Sequence, residues 1–325
     1  MKSIWREILM SVCMGLILPG IVMNWAVEEG PEPTVQSAGE STLPMQTEAR
    51  EKLKMKLKGE DGSIVTMDMD EYLVGVLLGE LPADFESEAK KAQAVVARTF
   101  TRKAYITGGK HGDGSVCTSP GCCQAYISEV DYLARGGDRS AVEAAREAVE
   151  ATSGLVLTFE NQLIEATYFS CSGGLTEDAV AVWGTDFPYL RAVESPGEEH
   201  AAHYTDTVYF TKGEFADKLG LPLTGNPETW FGQFHYTPGG GVDTVNIGGV
   251  ICDGTFLRSR LGLRSTAFTV RTDPEGITIT TRGFGHRVGM SQYGADAMAM
   301  GGCSFGEILA HYYPGTSLEL TNGVG

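Results

Sequence analysis

One stretch of the sequence, Tyr72 to Tyr105, places a single carboxylate between an apolar helical pattern and a turn set by Pro82. It reads YLVGVLLGELPADFESEAKKAQAVVARTFTRKAY, with Pro82 two residues after Glu80. Because a proline disfavours helical geometry in the residue before it, the first helix is predicted to end at Glu80. Ser87 is a suitable N-cap for the second helix, whose three- and four-residue apolar spacing predicts a buried side of Ala89, Ala92, Val96 and Phe100. Glu80 is therefore predicted to lie at an element boundary.

The second helix also carries a line of cations. With 3.6 residues per turn, Lys91, Arg98 and Arg102 fall within about 40° of one another on one helical face. Such a line is usually a solvated surface. A basic cleft in an acidic protein also suits an anionic ligand, and the residues alone leave both interpretations open.

Several motifs resemble those of one protein family. GELP with EAKKAQAVVARTF resembles the opening motif of the stage II sporulation protein D lytic transglycosylases, which share their domain with the LytB amidase-modifier proteins. The further motifs follow in that family's order: YFSCSGGLT from Tyr168 to Thr176, VWG from Val182 to Gly184, GHRVGMSQYGADAMA from Gly285 to Ala299, and HYYPGT from His311 to Thr316. The resemblance covers about residues 50 to 320, far more than a short pattern matches by chance.

The resemblance implies a set of site residues. Glu80 falls on the family's catalytic glutamate, and Lys91 and Arg98 fall on two cleft cations, expected to hold an anionic lactyl group or to position Glu80. The other residues expected to bind substrate are Gln124, Tyr168, Ser170, Ser172, Gly173, Gly174, His286, Ser291, Gln292 and Tyr293. By itself the Ser-Gly-Gly sequence is only a turn, whereas the resemblance implies part of the cleft floor. Relatives usually have glycine where this chain has Arg287.

Cleavage of a glycosidic bond requires a proton for the leaving oxygen while an oxocarbenium-like centre develops. Most hydrolases add a second carboxylate, and none stands out in this sequence. The resemblance implies a lytic transglycosylase, in which the C6 hydroxyl of N-acetylmuramic acid attacks its own C1 and leaves a 1,6-anhydro sugar. Glu80 then acts first as acid and next as base, which requires a raised pKa. The competing interpretation is an ordinary ion pair between Glu80 and Arg98.

The implied function is cleavage of the MurNAc-GlcNAc bond of septal peptidoglycan during engulfment in sporulation. The expected ligand is the glycan strand, preferably free of stem peptides. Expected partners are the amidase stage II sporulation protein P and the membrane scaffold stage II sporulation protein M. The alternative is a non-catalytic glycan-binding module that stimulates a separate amidase, as its LytB relatives are described. A glutamate at position 80 favours the enzyme.

The N-terminal residues predict a membrane anchor. Lys2 and Arg6 precede an uncharged stretch of 20 residues, Ile8 to Val27, long enough to span a hydrocarbon core of about 30 Å. The prediction is a cytoplasmic segment at 1–7, a transmembrane anchor at 8–27 and a flexible, proline- and acid-rich linker at 28–50. A cleavable signal peptide is the competing interpretation. The domain would then lie outside the cytoplasm, on the mother-cell side of the sporulation septum.

Residues 51–325 are predicted to form the glycan-cleaving domain, as one large unit or two packed lobes. Strands and helices come in runs without regular alternation, which predicts an α+β fold of helices and antiparallel strands around a substrate cleft. Residues 225–241 are rich in glycine, proline and aromatic residues and are expected to be irregular. The net charge of -17 argues against a nucleic-acid partner.

The loop before Gln124 predicts a structural zinc site. His111, Cys117, Cys122 and Cys123 crowd into thirteen residues, a mixture of ligands typical of a closed tetrahedral site. Related clostridial proteins have a histidine and two cysteines at matching places. Adjacent Cys122 and Cys123 are not expected to share one metal easily, so the fourth ligand is Cys122, a water or a residue elsewhere. The alternative is a disulfide from Cys117 to Cys122 or Cys123.

Overall fold

The computed structural model describes residues 53–321. The helices of this range are α1 (Met69–Glu80), α2 (Ser87–Thr107), α3 (Glu129–Ala134), α4 (Arg139–Ala151), α5 (Ala179–Trp183), α6 (Lys212–Leu219), α7 (Gly254–Leu261), α8 (Gln292–Met300) and α9 (Phe305–Tyr312). The strands are β1 (Lys54–Lys58), β2 (Ile64–Asp68), β3 (Ser115–Cys117), β4 (Leu155–Phe159), β5 (Gln162–Leu163), β6 (Tyr168–Phe169), β7 (Thr205–Thr211), β8 (Phe231–Tyr236), β9 (Val242–Ile247), β10 (Val250–Asp253), β11 (Phe268–Thr272), β12 (Gly276–Arg282), β13 (Met290–Ser291) and β14 (Ser317–Leu320).

The strands form small sheets rather than one continuous sheet. Their strand orders are β2-β1-β3, β14-β4-β5, β13-β6, β11-β12-β7 and β10-β9-β8. Most neighbours pair antiparallel, whereas β1 with β3 and β6 with β13 pair in parallel. The predicted α+β class with antiparallel strands is therefore confirmed for the described residues.

Helix α2 is central to the part of the fold that holds the site. It packs against α1, α4, α8, α9 and β4, and every residue from Ala92 to Thr99 is buried. The predicted apolar stripe is confirmed at Ala89, Ala92 and Val96, which belong to one hydrophobic cluster. The opposite side is buried as well, because residues of α1 and α4 form a second cluster against it. Of the predicted line of cations, Arg98 is buried and Lys91 and Arg102 are half-buried, so the three do not form a solvated surface.

A third hydrophobic cluster lies between the two sheets of β7 to β12 and helices α6 and α7. It contains Phe215 and Trp230, whose rings stack 6.2 Å apart. Strand β8 falls in the segment predicted to be irregular, so that prediction is wrong. The reason is a register shift between Phe231 and Phe234, which replaces the two-residue alternation of a strand with a spacing of three.

Short sequence patterns predict local structure correctly at two helix starts and at one hairpin turn. Thr211 and Ser304 form capping boxes at the starts of α6 and α9, as three-residue spacing to a glutamate predicts. Glu160 and Asn161 join β4 to β5 with φ values of 51° and 62°, the two positive angles of a tight hairpin turn. Helix α2 begins at Ser87, but its cap position is Glu86 and Ser87 makes no capping bond.

Among residues 53–321, no helix is both long and apolar enough to cross a bilayer. The predicted cytoplasmic segment, anchor and linker at 1–50 lie outside the described residues, so they stay predictions. The described residues belong to one compact unit.

Candidate active site

Glu80 is the last residue of α1, and three donors from separate parts of the chain hold its carboxylate. Oε1 accepts the backbone N–H of Ala125 at 2.6 Å and the hydroxyl of Tyr168 at 3.0 Å. Oε2 accepts Nε2 of Gln292 at 3.4 Å. Tyr168 begins β6, which pairs with β13 immediately before Gln292. The short parallel sheet therefore brings two of the three donors to one carboxylate.

The third donor reaches Glu80 because α1 lacks a side chain at Gly79. A Cβ at Gly79 would lie 3.0 Å from the nitrogen of Tyr126 and 3.1 Å from the carbonyl carbon of Ala125, which is tighter than a packed side chain tolerates. The segment that follows the cysteine-rich loop therefore runs directly against the last turn of α1.

Burial raises the pKa of Glu80 above its ordinary value, and hydrogen bonds from Ala125, Tyr168 and Gln292 oppose that rise. An ion pair between Glu80 and Arg98 was the alternative to a catalytic role for Glu80. It does not form, because Arg98 pairs with Asp70. A carboxyl group with a raised pKa keeps its proton to higher pH than free glutamic acid. Glu80 therefore has the environment that a general acid requires.

Gln124 lies behind Tyr168 and is fully buried. Its Nε2 donates to the hydroxyls of Tyr72 at 3.1 Å and Thr101 at 2.9 Å. Its Oε1 lies 3.2 Å from the hydroxyl of Tyr168, which can donate to Gln124 or to Glu80. The expected substrate contact is therefore corrected: Gln124 positions Tyr168 and does not line the cleft.

Glu80, Tyr168 and Gln292 line a cleft of about 790 Å³, within the range of about 300 to 1,000 Å³ that is usual for ligand sites. The same cleft is lined by Ser170 and His286, two further residues of the predicted site. The structure therefore brings five of the predicted catalytic and substrate-binding residues together on one surface.

The predicted role of Arg98 is wrong in this structure because its side chain is 0% exposed. Nη1 donates to the carbonyl oxygens of Thr152 at 2.8 Å and Leu155 at 3.3 Å. Nη2 donates to the carbonyl oxygen of Val149 at 3.1 Å and to Asp70 at 3.3 Å. Cations commonly satisfy the last carbonyl groups of a helix in this way. Arg98 therefore fixes the end of α4 against α2 and cannot bind a glycan in the cleft.

Lys91 also lies away from the cleft lining. Its Nζ is 2.6 Å from Oε1 of Glu88, and the other oxygen of Glu88 accepts the backbone N–H of Phe305 at 2.7 Å. The guanidinium of Arg102 lies 5.9 Å from the ring of Tyr105. The predicted line of cations is thus divided among separate structural partners.

Ser172, Gly173 and Gly174 surround a carboxylate of the protein itself. Oε2 of Glu198 accepts the backbone N–H of Ser172 at 2.8 Å, its hydroxyl at 2.9 Å and the N–H of Gly173 at 3.0 Å. Both glycines have positive φ, 77° and 106°, as in backbone loops that enclose an anion. The expected cleft floor is therefore corrected: this loop binds the buried Glu198.

Ser291 and Tyr293 both make structural contacts. Ser291 is the N-cap of α8, where its Oγ accepts the N–H of Gly294 at 3.2 Å. Because Ser291 is fully buried and outside the cleft lining, its expected substrate contact is corrected. The ring of Tyr293 packs edge-on against Phe85 at 5.0 Å, but the residue is half-buried and its expected substrate contact stays a prediction.

His286 is a neutral donor in the cleft wall. Burial lowers its pKa to about 4, with the charges of Arg258 and Lys110 adding to the effect and a hydrogen bond to the backbone of Tyr168 opposing it. Nδ1 accepts the N–H of Val288 at 3.1 Å, so Nε2 carries the proton. Because the hydrogen bond to the backbone of Tyr168 uses that proton, His286 presents the face of a neutral imidazole ring to the cleft.

Arg287 has a left-handed backbone conformation, with φ of 66°, which glycine adopts without steric strain. Its side chain is buried, and Nη1 lies 3.2 Å from Oε1 of the fully buried Glu177. Nε donates to the carbonyl oxygen of Ser172 at 2.8 Å, and Nη2 donates to those of Leu175 at 2.6 Å and Gly239 at 2.7 Å. Arg287, at a position where relatives usually have glycine, therefore supplies the positive charge that neutralises the buried Glu177.

We expect Arg287→Ala to lower the free energy of unfolding by about 3 to 5 kcal/mol, because it leaves Glu177 buried without a cation. Arg287→Gly should cost less, by about 1 kcal/mol, because glycine relieves the left-handed backbone. Urea denaturation of both variants tests this, with the exposed Arg271→Ala as control. A loss below about 1 kcal/mol in Arg287→Ala would contradict the assigned role.

The cysteine-rich loop brings its four predicted ligands together. Nε2 of His111 lies 3.8 Å from Sγ of Cys122 and 3.5 Å from Sγ of Cys123, and those sulfur atoms are 3.8 Å apart. With Cys117 included, all four donor atoms lie within 4.8 Å of one another. Around tetrahedral zinc, with bonds of about 2.3 Å to sulfur and 2.0 Å to nitrogen, neighbouring donors are roughly 3.5 to 3.8 Å apart. The four residues therefore fit a zinc ion.

This geometry corrects the expectation for the adjacent cysteines. The backbone N–H groups of Cys122 and Cys123 both donate to the carbonyl oxygen of Ser119, and this turn directs both sulfur atoms toward His111. Neighbouring cysteines can therefore contribute to one site here. All six cysteines of the described range are thiols.

Three cleft residues were missed in the sequence. Glu165 is a second carboxylate in the cleft, and its Oε1 is 2.7 Å from Nζ of Lys103. Trp183 lies in the VWG motif without a role assigned to it, and Arg258 lies on α7, a helix that the sequence did not predict. The spacing of these residues carries no signal, because distant segments bring them together.

The fold and the cleft define a class: an α+β domain in which a glutamate of raised pKa ends a helix and lines a cleft of about 790 Å³. The family model described as stage II sporulation protein matches residues 58–159. The chain is 39% identical over 262 residues to stage II sporulation protein D of Bacillus subtilis (strain 168), covering 79% of this chain and 76% of that protein. It therefore belongs to the stage II sporulation protein D family.

Two further relatives are informative. Stage II sporulation protein D of Bacillus amyloliquefaciens is 40% identical over 262 residues, with 79% of this chain and 76% of that protein covered. The amidase enhancer of Bacillus subtilis (strain 168) is 30% identical over 304 residues, with 76% of this chain but 40% of that protein covered. The domain is thus similar both to sporulation proteins and to an amidase enhancer.

Proposed function

We propose that this chain is a peptidoglycan lytic transglycosylase that cleaves the MurNAc-GlcNAc bond and leaves 1,6-anhydroMurNAc ends. The observation that carries the proposal is Glu80, a carboxyl group with a raised pKa in a sugar-sized cleft. Mass spectrometry of digested glycan strands tests it. Anhydro ends support the proposal, and hydrated reducing ends contradict it.

In the proposed mechanism, protonated Glu80 donates to the leaving glycosidic oxygen. The carboxylate that results is stabilised by the N–H of Ala125, the hydroxyl of Tyr168 and the amide of Gln292. It then accepts the proton of the C6 hydroxyl as that oxygen attacks C1. One residue serves as acid and base because the nucleophile belongs to the substrate.

Glu165 is the group that a hydrolase mechanism would need as a second carboxylate. Its ion pair with Lys103 occupies one oxygen of the carboxylate. In the transglycosylase mechanism, Glu165→Gln keeps anhydro ends as the product. In a hydrolase that uses Glu165 as base, the same variant loses activity.

The family supports a role in the cell wall during sporulation, and we extend the proposal to septal peptidoglycan during engulfment. The substrate would be the peptide-free strand left by an amidase such as stage II sporulation protein P, with stage II sporulation protein M as membrane scaffold. The predicted anchor at 8–27 would place the domain on the mother-cell side of the septal membrane. Fractionation of sporulating cells with an antibody to the domain tests this location.

The second candidate function is that of an amidase enhancer, which the similarity to the Bacillus subtilis protein of that name favours. In that case the cleft binds glycan without cutting it. Strand binding without cleavage products, together with faster release of peptides by an added amidase, would support this candidate over the transglycosylase.

We also propose that His111, Cys117, Cys122 and Cys123 hold a structural zinc ion. Zinc would supply no chemistry to the sugar. The loop leads directly to Gln124 and Ala125, which position Tyr168 and bind Glu80 respectively. A zinc ion that holds the loop in place would therefore also hold Gln124 and Ala125 in the positions from which they act on Tyr168 and Glu80.

We expect Tyr168→Phe to raise the pKa of Glu80 further, because the lost hydroxyl stabilises the ionised carboxylate. Cleavage requires protonated Glu80 and declines as the pH rises through its pKa, so this decline should move to higher pH. Profiles of kcat/KM against pH on peptide-free strands measure it, with the exposed Tyr236→Phe as control. A decline that moves to lower pH would contradict the hydrogen-bond assignment.

A further inference from the structure

Arg258 is a cation of the cleft wall without an assigned role. It lies on α7 and is half-buried, and it lines the same cleft as Glu80. Burial lowers its pKa, and no acidic group acts on it in the opposite direction. An arginine stays protonated at any physiological pH. Arg258 is therefore a partly desolvated positive charge, and no carboxylate within residues 53–321 neutralises it.

The neighbouring cations of the cleft differ from Arg258 because they have partners. Nζ of Lys110 donates to the carbonyl oxygen of Cys122. Lys103, beside the cleft, pairs with Glu165. A carbonyl oxygen does not neutralise Lys110, which stays a second positive charge of the cleft. Arg258 is the cleft-lining cation, within the described range, whose donors have neither a carboxylate nor a carbonyl acceptor in the protein.

Trp183 supplies an apolar surface in the same cleft. Its side chain is 41% exposed at the end of α5, and its ring centroid lies 5.3 Å from that of His286. His286 in turn lies 5.6 Å from Phe169. An exposed tryptophan that lines a cleft, beside a neutral imidazole ring, is the kind of surface on which a sugar ring rests.

We propose that Arg258 and Trp183 form a subsite for a sugar that carries a free carboxylate, the lactyl group of peptide-free MurNAc. The inference deepens the proposed function and rests on it for the choice of sugar. The guanidinium binds the carboxylate through paired N–H donors, and Trp183 supports the ring. This subsite takes the role that the sequence assigned to Lys91 and Arg98.

The subsite also gives a physical reason for a preference for strands without stem peptides. An amide at the lactyl group removes the negative charge and leaves Arg258 partly buried without a partner. The reaction that supplies the preferred substrate is therefore hydrolysis of the lactyl amide bond, which releases the carboxylate.

Binding of two matched strands to the full-length chain carrying Glu80→Gln tests the subsite without cleavage. One strand has free lactyl carboxylates, and the other has the same groups converted to methylamides. We expect Arg258→Gln to weaken binding of the carboxylate strand about 10- to 100-fold, the scale of a lost charge-assisted hydrogen bond. Binding of the amidated strand should not weaken, because that strand offers Arg258 no anion. Trp183→Leu should weaken binding of both strands by a similar factor.

Arg260→Gln on the same helix is the matched control, since its exposed side chain lies outside the cleft lining. Thermal melting of each variant confirms folding. Native affinity for both strands in Arg258→Gln, or equal loss for both, overturns the carboxylate subsite even where strands are cleaved. Discrimination that depends on Arg258, together with absence of cleavage products from the chain that keeps Glu80, supports the subsite and overturns the transglycosylase proposal.

Discussion

Replacing Glu80 with glutamine is expected to abolish measurable strand cleavage while leaving strand binding intact. Loss of a general acid and base lowers a rate by about 10² to 10⁴-fold. Glutamine keeps the size of the side chain and an acceptor for the N–H of Ala125 and the hydroxyl of Tyr168, so the cleft keeps its shape. Mass spectrometry of the products measures cleavage, and retention on peptide-free strands measures binding.

The exposed Glu147→Gln is the control for removing one negative charge. Full activity in Glu80→Gln would exclude Glu80 as the acid. Absence of products from the native chain, with binding retained, would favour the amidase-enhancer function instead.

The same substitution has an expected effect on stability. Because burial raises the pKa of Glu80 in the folded chain, its contribution to the free energy of unfolding is fully present below the unfolded-state pKa and is lost as the pH rises through the folded-state pKa. Glu80→Gln removes this penalty on ionisation. The variant should therefore be at least as stable as the native chain at pH 7, and the difference should vanish near pH 4.

Urea denaturation of both proteins at the two pH values tests this sign. A variant that is less stable than the native chain at pH 7 would show that hydrogen bonds to the carboxylate outweigh its desolvation. If Glu80→Gln is more stable than the native chain and inactive, Glu80 is required for function although it lowers the free energy of unfolding.

The sequence predicted Glu80, Tyr168 and Gln292 correctly as neighbours in one cleft only through the family resemblance. Residue spacing placed Glu80 at the end of a helix because Pro82 has a strong local effect. Spacing failed for Arg98, because the helical period predicts which residues share a face but not whether that face meets solvent, a ligand or α4. Burial of Arg98 is decided by α4, more than 40 residues further along the chain.

The Ser-Gly-Gly loop shows a second limit of the same kind. Its glycines predict a backbone that can enclose an anion, and the structure has such a backbone. The anion is Glu198, which nothing in the local sequence connects to Ser172. Arg258 was missed for a related reason, since a cation becomes a site residue through the absence of a nearby carboxylate, and such an absence is a tertiary property.

Zinc removal is expected to have the second large effect. The purified full-length chain should contain about one zinc per molecule, and His111→Ala or Cys117→Ala should abolish this content. Structural zinc sites contribute strongly to folding, with binding free energies of about 10 to 16 kcal/mol in small zinc-binding peptides. Chelation should therefore lower the melting temperature and increase the mobility of the loop that ends at Cys123.

Loss of the loop's geometry should also lower activity, because Ala125 follows the loop by two residues and donates to Glu80 at 2.6 Å. Without that bond the raised pKa of Glu80 should rise further, since the N–H of Ala125 stabilises the ionised form. Metal analysis, free-thiol counting and melting curves test the site, and Cys303→Ser is the control because Cys303 lies outside the cluster. A metal-free chain in which Cys117 is oxidised would establish the disulfide instead. Zinc that survives both ligand substitutions would place the metal elsewhere.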